Sequence, residues 1–131
     1  MPSTLIEVAK LYSKEHEVAL LEAVLSALRE AFKIPEWDRN IRLMVHEPHR
    51  FARPPGRGDS ELFTQVSIDC FAGRSLDAKR ALYQCIVRNF EALGIPKEQV
   101  TIMLREIPKE DWGVQGGQAA CDVDVGFVVE V

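Results

Sequence analysis

The residue with the clearest chemical potential is Pro2. The chain opens Met1-Pro2 and runs on into Leu5-Ile6-Glu7-Val8. Removal of Met1, which is expected, leaves a free secondary amine whose ring fixes its direction at the head of a strand. A model α-amino group titrates at roughly 7.7–8.0. An amine of that kind serves as a proton carrier or as a nucleophile toward a carbonyl. Other reactive types are less well arranged. His46, Glu47 and His49 lack zinc-protease spacing, because the histidines are three apart and lead into a proline loop, and His16 lies in a different segment. No metal or other cofactor is expected. Cys70, Cys85 and Cys121 form no CxxC pair; Cys70 and Cys85 read as small buried hydrophobes in a reduced, cytoplasmic protein.

The elements that must position Pro2 repeat. Residues 13–33 read as a helix with Ser13 as N-cap, Glu15 and Glu17 in the first turn, and Leu21, Val24, Leu25, Leu28 and Phe32 on one face. Residues 75–93 follow the same plan, with Ser75 as cap, Asp77 early, and Leu82, Ile86, Phe90 and Leu93 at helical spacing before Gly94. Each helix ends in an Ile-Pro pair (Ile34-Pro35 and Ile95-Pro96) followed by an alternating strand, residues 41–45 and 100–104. Strands also precede the helices, at residues 4–9 and 62–70. The chain is therefore read as a single α+β domain, a tandem βαβ repeat with units of about 2–46 and 62–107. The units are expected to pair into a four-stranded mixed sheet with two helices on one face. A C-terminal hairpin and tail strand would occupy residues 108–131. Thr101, Met103, Arg42 and Met44 or their neighbours would lie on the uncovered sheet face, for which an oligomer is the natural cover.

Composition narrows the function. The net charge of -4 argues against a nucleic-acid partner. No apolar run approaches membrane-spanning length, and the first 30 residues lack the pattern of a signal peptide. Pro54-Pro55-Gly56-Arg57-Gly58 marks a loop, with Arg50 and Arg53 read as surface charges beside it.

A terminal proline, two βαβ units of about 60 residues and a Gly-rich hairpin resemble the tautomerase superfamily, within it most closely the malonate semialdehyde decarboxylase branch. Ile34-Pro35-Glu36-Trp37-Asp38-Arg39 resembles that branch's IPxxDR segment, and Val45-His46-Glu47 with Pro48, His49 and Phe51 resembles its VHE-P-H-F stretch. Ala72-Gly73-Arg74-Ser75 falls where the branch places an arginine, with Ala72 at the position of a second arginine found in some members. Asp111-Trp112-Gly113 resembles a pocket-wall pair, followed here by Val114 where an aromatic residue is frequent.

The resemblance implies a homotrimer acting on small keto or enol carboxylic acids. Pro2, Asp38 and Arg74 would be catalytic; Arg74, Trp112 and Val114 would contact substrate. Arg74 would hold the substrate carboxylate, unless it merely pairs with Asp77. Asp38 would raise the pKa of the Pro2 amine, and Arg74 and burial would lower it. Tautomerisation is the leading activity. Decarboxylation or hydration of a 3-oxo acid is the runner-up, and a non-catalytic trimeric ligand-binding protein the alternative. A ferredoxin-like sensor also repeats βαβ units, but offers no reason for Met1-Pro2.

Overall fold

A computed structural model of the chain describes residues 2–53, 55 and 60–131. Met1, and Pro54, Gly56, Arg57 and Gly58 of the expected loop, lie outside the described residues. The elements follow the repeat: β1 (Ser3–Val8), α1 (Lys14–Phe32) and β2 (Ile41–Val45), then β3 (Thr64–Phe71), α2 (Leu76–Glu91) and β4 (Val100–Ile107). Both helices begin as their sequences require. Ser13 accepts from His16 N at 3.1 Å and Ser75 from Ala78 N at 3.1 Å, each satisfying a backbone donor that the first turn leaves over. Ser13 lies far along the chain from the residues of interest. Ser13→Ala is expected to lower the unfolding free energy by about 1 kcal/mol, read from denaturant melts at fixed protein concentration.

The helix ends also repeat. Ile95 N and Gly94 N donate back to Phe90 O at 3.0 Å and Glu91 O at 3.1 Å, the two bonds of a Schellman closure, with Gly94 at φ +91°. Lys33 takes the same place 61 residues earlier and adopts φ +58°, a left-handed conformation unusual for a residue with a Cβ. Lys33 N donates to Arg29 O at 3.1 Å.

The sheet runs in the order β2-β1-β3-β4. β1–β2 and β3–β4 are parallel, as βαβ crossovers demand, and β1–β3 is antiparallel, with Ser3 opposite Asp69 and Ile6 opposite Val66. Even-numbered residues of β1 and β3 (Ile6, Val8, Val66, Ile68, Cys70) point to the helices. There they meet Leu20, Val24, Leu28 and Phe32 of α1 and Leu82, Ile86 and Phe90 of α2, so one core spans both units. Cys70 and Cys85 are buried in it, while Cys121 is exposed. The other sheet face carries Arg42, Met44, Thr101 and Met103, and both methionines are 47% exposed.

The C-terminal region departs from expectation in one respect. The hairpin forms as β5 (Gly113–Val114) and β6 (Gln118–Ala119). Its turn is closed by Gly117 N to Val114 O at 3.1 Å, with Gln115 and Gly116 at φ +47° and +82°. Within the single chain the expected tail strand does not pair: residues 123–131 join no ladder among the described residues. A short helical turn at Ala120–Asp122 and a bend at Gly126 (φ +87°), where Gly126 N donates to Asp124 Oδ1 at 2.8 Å, turn the chain back over its own protomer. Val129 is 1% exposed in a second, smaller cluster with Phe71 and Ala120. Within the chain the apolar residues of the tail are thus used in packing.

Candidate active site

Pro2 is buried at the head of β1, immediately before the ladder begins at Ser3. On one side, Thr4 N donates to Asn40 O at 3.0 Å, tying β1 to the turn that carries Asp38. On the other, extending the Ser3–Asp69 register by one residue puts Pro2 opposite Cys70, at the end of β3 that leads to Arg74. The antiparallel β1–β3 pairing is what brings the segments of the two units that carry Asp38 and Arg74 to one end of the sheet.

Asp38 is 4% exposed, and its backbone N donates to Pro35 O at 3.1 Å in the turn begun by Ile34-Pro35. Arg39 next to it binds Glu22 of α1 and so fastens that turn to the helix. Arg74 is 5% exposed. Its guanidinium carbon lies 4.6 Å from the centre of the Phe32 ring at the end of α1, and Nη1 donates to Phe71 O at 3.3 Å. Nε and Nη2 are buried and make no hydrogen bond of good geometry, although the Cys70 sulfur lies within their reach. Burial lowers the Arg74 pKa, and the neighbouring Cys70, Asp38 and Glu130 each oppose that shift. The Cys70 thiol is pushed up by burial, partly offset by Arg74, which leaves it neutral at physiological pH.

The turn before Arg74 is held from beneath. Gly73, at φ +135°, donates to Glu106 Oε2 at 3.3 Å, and Glu106 Oε1 binds Lys79 Nζ of α2 at 2.6 Å. The Lys79 hydrogen bond holds the Glu106 carboxyl below its ordinary pKa. Asp77, the alternative partner for Arg74, instead binds Arg80 at 3.1 Å.

Trp112 and Val114 pack against the Phe71 cluster. The Trp112 ring meets Phe71 edge-on at 5.1 Å, and its Nε1 donates to Ile107 O at 3.2 Å. They therefore flank the strand end that presents Arg74. The histidines lie elsewhere. His46 Nε2 is 2.9 Å from Glu7 Oε1 and its ring stacks on Phe51, at the far end of β1, and His16 stacks on Tyr12. Among the described residues no three His, Cys, Asp or Glu side chains are grouped to hold a metal, and no helix is long and apolar enough to cross a membrane.

Sequence reasoning passed over three neighbours of Arg74: Phe32 as the seat of its guanidinium, Cys70 beside it, and Glu130. Helical periodicity marks Phe32 only as core, and strand alternation marks Cys70 only as inward-facing. Nothing in the local sequence marks Glu130.

Two βαβ units joined in one four-stranded mixed sheet with both helices on one face make the tautomerase class of fold. The family model for tautomerase enzymes matches residues 38–115, more than half of the chain, and the chain belongs to that family. A 2-hydroxymuconate tautomerase from Comamonas testosteroni is 38% identical over 58 residues, covering 44% of this chain and 89% of that protein. The relative is thus about half as long as this chain. A malonate semialdehyde decarboxylase inhibited by 3-bromopropiolate superposes with a TM-score of 0.81 at 27% identity over 92% of this chain and 94% of that one. Fused 4-OT, a symmetric trimer, superposes with a TM-score of 0.79 at 25% identity over 90% of this chain and 95% of that one.

Proposed function

We propose that this protein, processed to begin at Pro2, transfers protons on small keto and enol carboxylic acids. Pro2 takes the proton from one atom of the substrate and returns it to another, while Arg74 holds the carboxylate. The observation that carries the reading is the Arg74 guanidinium, buried with Nε and Nη2 unpaired at the sheet end where Pro2 begins β1. A buried cation with two idle donors is costly unless an anion completes it, and a carboxylate matches its planar fork. Asp38 supplies a fixed negative charge that keeps the Arg74–Pro2 region from accumulating excess positive charge. Trp112 and Val114 wall the substrate's apolar part.

The working form is a homotrimer without a cofactor. Supporting this are the exposed Met44 and Met103 on the uncovered sheet face and the likeness to a trimeric fused 4-OT. A second reading, decarboxylation or hydration of a 3-oxo acid, is favoured by the likeness to a malonate semialdehyde decarboxylase over 92% of the chain. In that case a cationic Pro2 would polarise the carbonyl beside the departing carboxylate.

The test is ketonisation of phenylenolpyruvate by protein shown by intact mass to begin at Pro2. A rate well above buffer is expected. No rate above buffer, with turnover of malonate semialdehyde, would replace the first reading by the second. Turnover of neither would overturn both.

A further inference from the structure

Phe32 is the last residue of α1 and is fully buried, and helical periodicity accounts for it as core. The internal repeat shows that core packing is not the whole reason for a ring there. Phe32-Lys33-Ile34-Pro35 recurs as Leu93-Gly94-Ile95-Pro96, and the residue before the Ser cap is Tyr12 in the first unit and Arg74 in the second. The repeat thus relates the pair Arg74–Phe32 to the pair Tyr12–Leu93. A leucine suffices to close a helix of this kind onto the core, and the aromatic residue stands at the helix end that meets a cation.

The guanidinium is held on two sides. Its central carbon lies 4.6 Å over the centre of the Phe32 ring, so one face is taken. Nη1 donates to Phe71 O at 3.3 Å. What is left whole is the edge formed by Nε and Nη2, whose two N–H groups point the same way and match the two oxygens of one carboxylate. The Cys70 sulfur within reach of that edge is only a weak acceptor. Both partners of the stack are withdrawn from water, Phe32 at 0% and Arg74 at 5% exposure, which is where a cation–π contact is strongest. A long, flexible side chain is thereby ordered before any ligand arrives, and an anion that binds it does not bear that ordering. We propose that Phe32 is a positioning residue: its ring seats the Arg74 guanidinium so that the Nε–Nη2 edge is presented to the substrate carboxylate. Phe32 acts only through Arg74, and the inference rests on the reading of Arg74 as the carboxylate anchor.

The test is calorimetric titration of the full chain with 3-phenylpropanoate, which offers a carboxylate but no enol. Phe32→Leu, the residue the chain itself uses at the matching helix end, is expected to weaken binding roughly five- to thirtyfold, the worth of a desolvated cation–π contact. In an Arg74→Ala background the same change should move the affinity by less than about twofold, because the two residues act as one unit. Phe90→Leu is the control for packing alone. Phe90 is as deeply buried in the same core and carries no cation on its ring among the described residues. Its loss should lower the melting temperature yet leave the affinity within about twofold. On phenylenolpyruvate, Phe32→Leu should raise KM and leave kcat within about twofold, since the carboxylate is held alike in ground and transition states. Should Phe32→Leu not melt cooperatively, Phe32→Met, closer in volume and also without a ring, takes its place. Unchanged binding in the Phe32 variant, additive losses in the double variant, or an equal loss in Phe90→Leu would overturn the proposal and leave Arg74 as the anchor. Binding that Arg74→Ala does not weaken, or no binding at all, would remove the anchor and the proposal with it. Binding that depends on Arg74 and Phe32, in a protein that fails to ketonise phenylenolpyruvate, would uphold this inference and remove the proton-transfer reading.

Discussion

Pro2→Ala is expected to slow ketonisation of phenylenolpyruvate by about 10²–10⁴-fold in kcat, the usual worth of a positioned general acid–base group, with KM changed little. Alanine also presents an amine, so the loss tests position and basicity rather than mere presence of nitrogen. The proline ring makes its amine secondary and rotationally fixed, whereas an alanine amine is primary and turns freely about its Cα. The substitution leaves the sheet intact, because the ladder starts at Ser3 and proline has no backbone N–H that alanine would take away. Initial rates on wild type and variant, each confirmed by mass to lack Met1, give the comparison. A variant within threefold of wild type would remove Pro2 from the reaction.

Arg74→Ala carries the second large effect. Two charge-assisted hydrogen bonds to a carboxylate are at stake, and their loss is expected to lower kcat/KM by about 10²–10³-fold. Most of the change should appear in KM, because the carboxylate is present in ground and transition states alike. Arg74→Lys is expected to recover little: an ammonium restores the charge but not the planar fork, and it cannot lie flat on Phe32 as the guanidinium does at 4.6 Å. The methyl ester of phenylenolpyruvate provides the control. Having no carboxylate, it should lose far less than the acid when Arg74 is removed, and equal losses on ester and acid would assign Arg74 to structure instead. Folding should survive the change. Truncation relieves the burial of two unpaired donors while depriving Asp38 of a neighbouring positive charge, and these opposing effects partly cancel.

Much of the fold is legible because it is written twice. The Ser caps, the Ile-Pro pairs and the flanking alternating runs recur in the same order at closely similar separations, so each unit supports the reading of the other, and helix periodicity selects the same inward faces that the core uses. Lys33 shows how far the repeat reaches: it takes a left-handed conformation because the chain path there matches that at Gly94, against its own preference. Where the repeat ends, legibility falls. Val123, Val125 and Phe127 alternate like a strand, but alternation records only that every second residue is apolar. It does not distinguish a ladder from a single extended segment lying on a hydrophobic patch, and within this chain the tail, bent at Gly126, lies on such a patch.

The site divides along the same line. Local sequence determined the βαβ units, the caps, the turn that presents Asp38 and the turn that presents Arg74, because each depends on neighbours within a few residues. Only the tertiary structure decided that these turns lie at the end of the sheet where Pro2 precedes β1, since that follows from the parallel register of β1 with β2 and the antiparallel register of β1 with β3, the latter joining residues 56 to 66 positions apart. The same holds for Phe32 beneath Arg74 and Glu130 beside it. Hydrophobic periodicity encodes which face of an element is buried, but the electrostatic surroundings of a buried charge are set by whichever side chains the folded chain happens to deliver there from a distance.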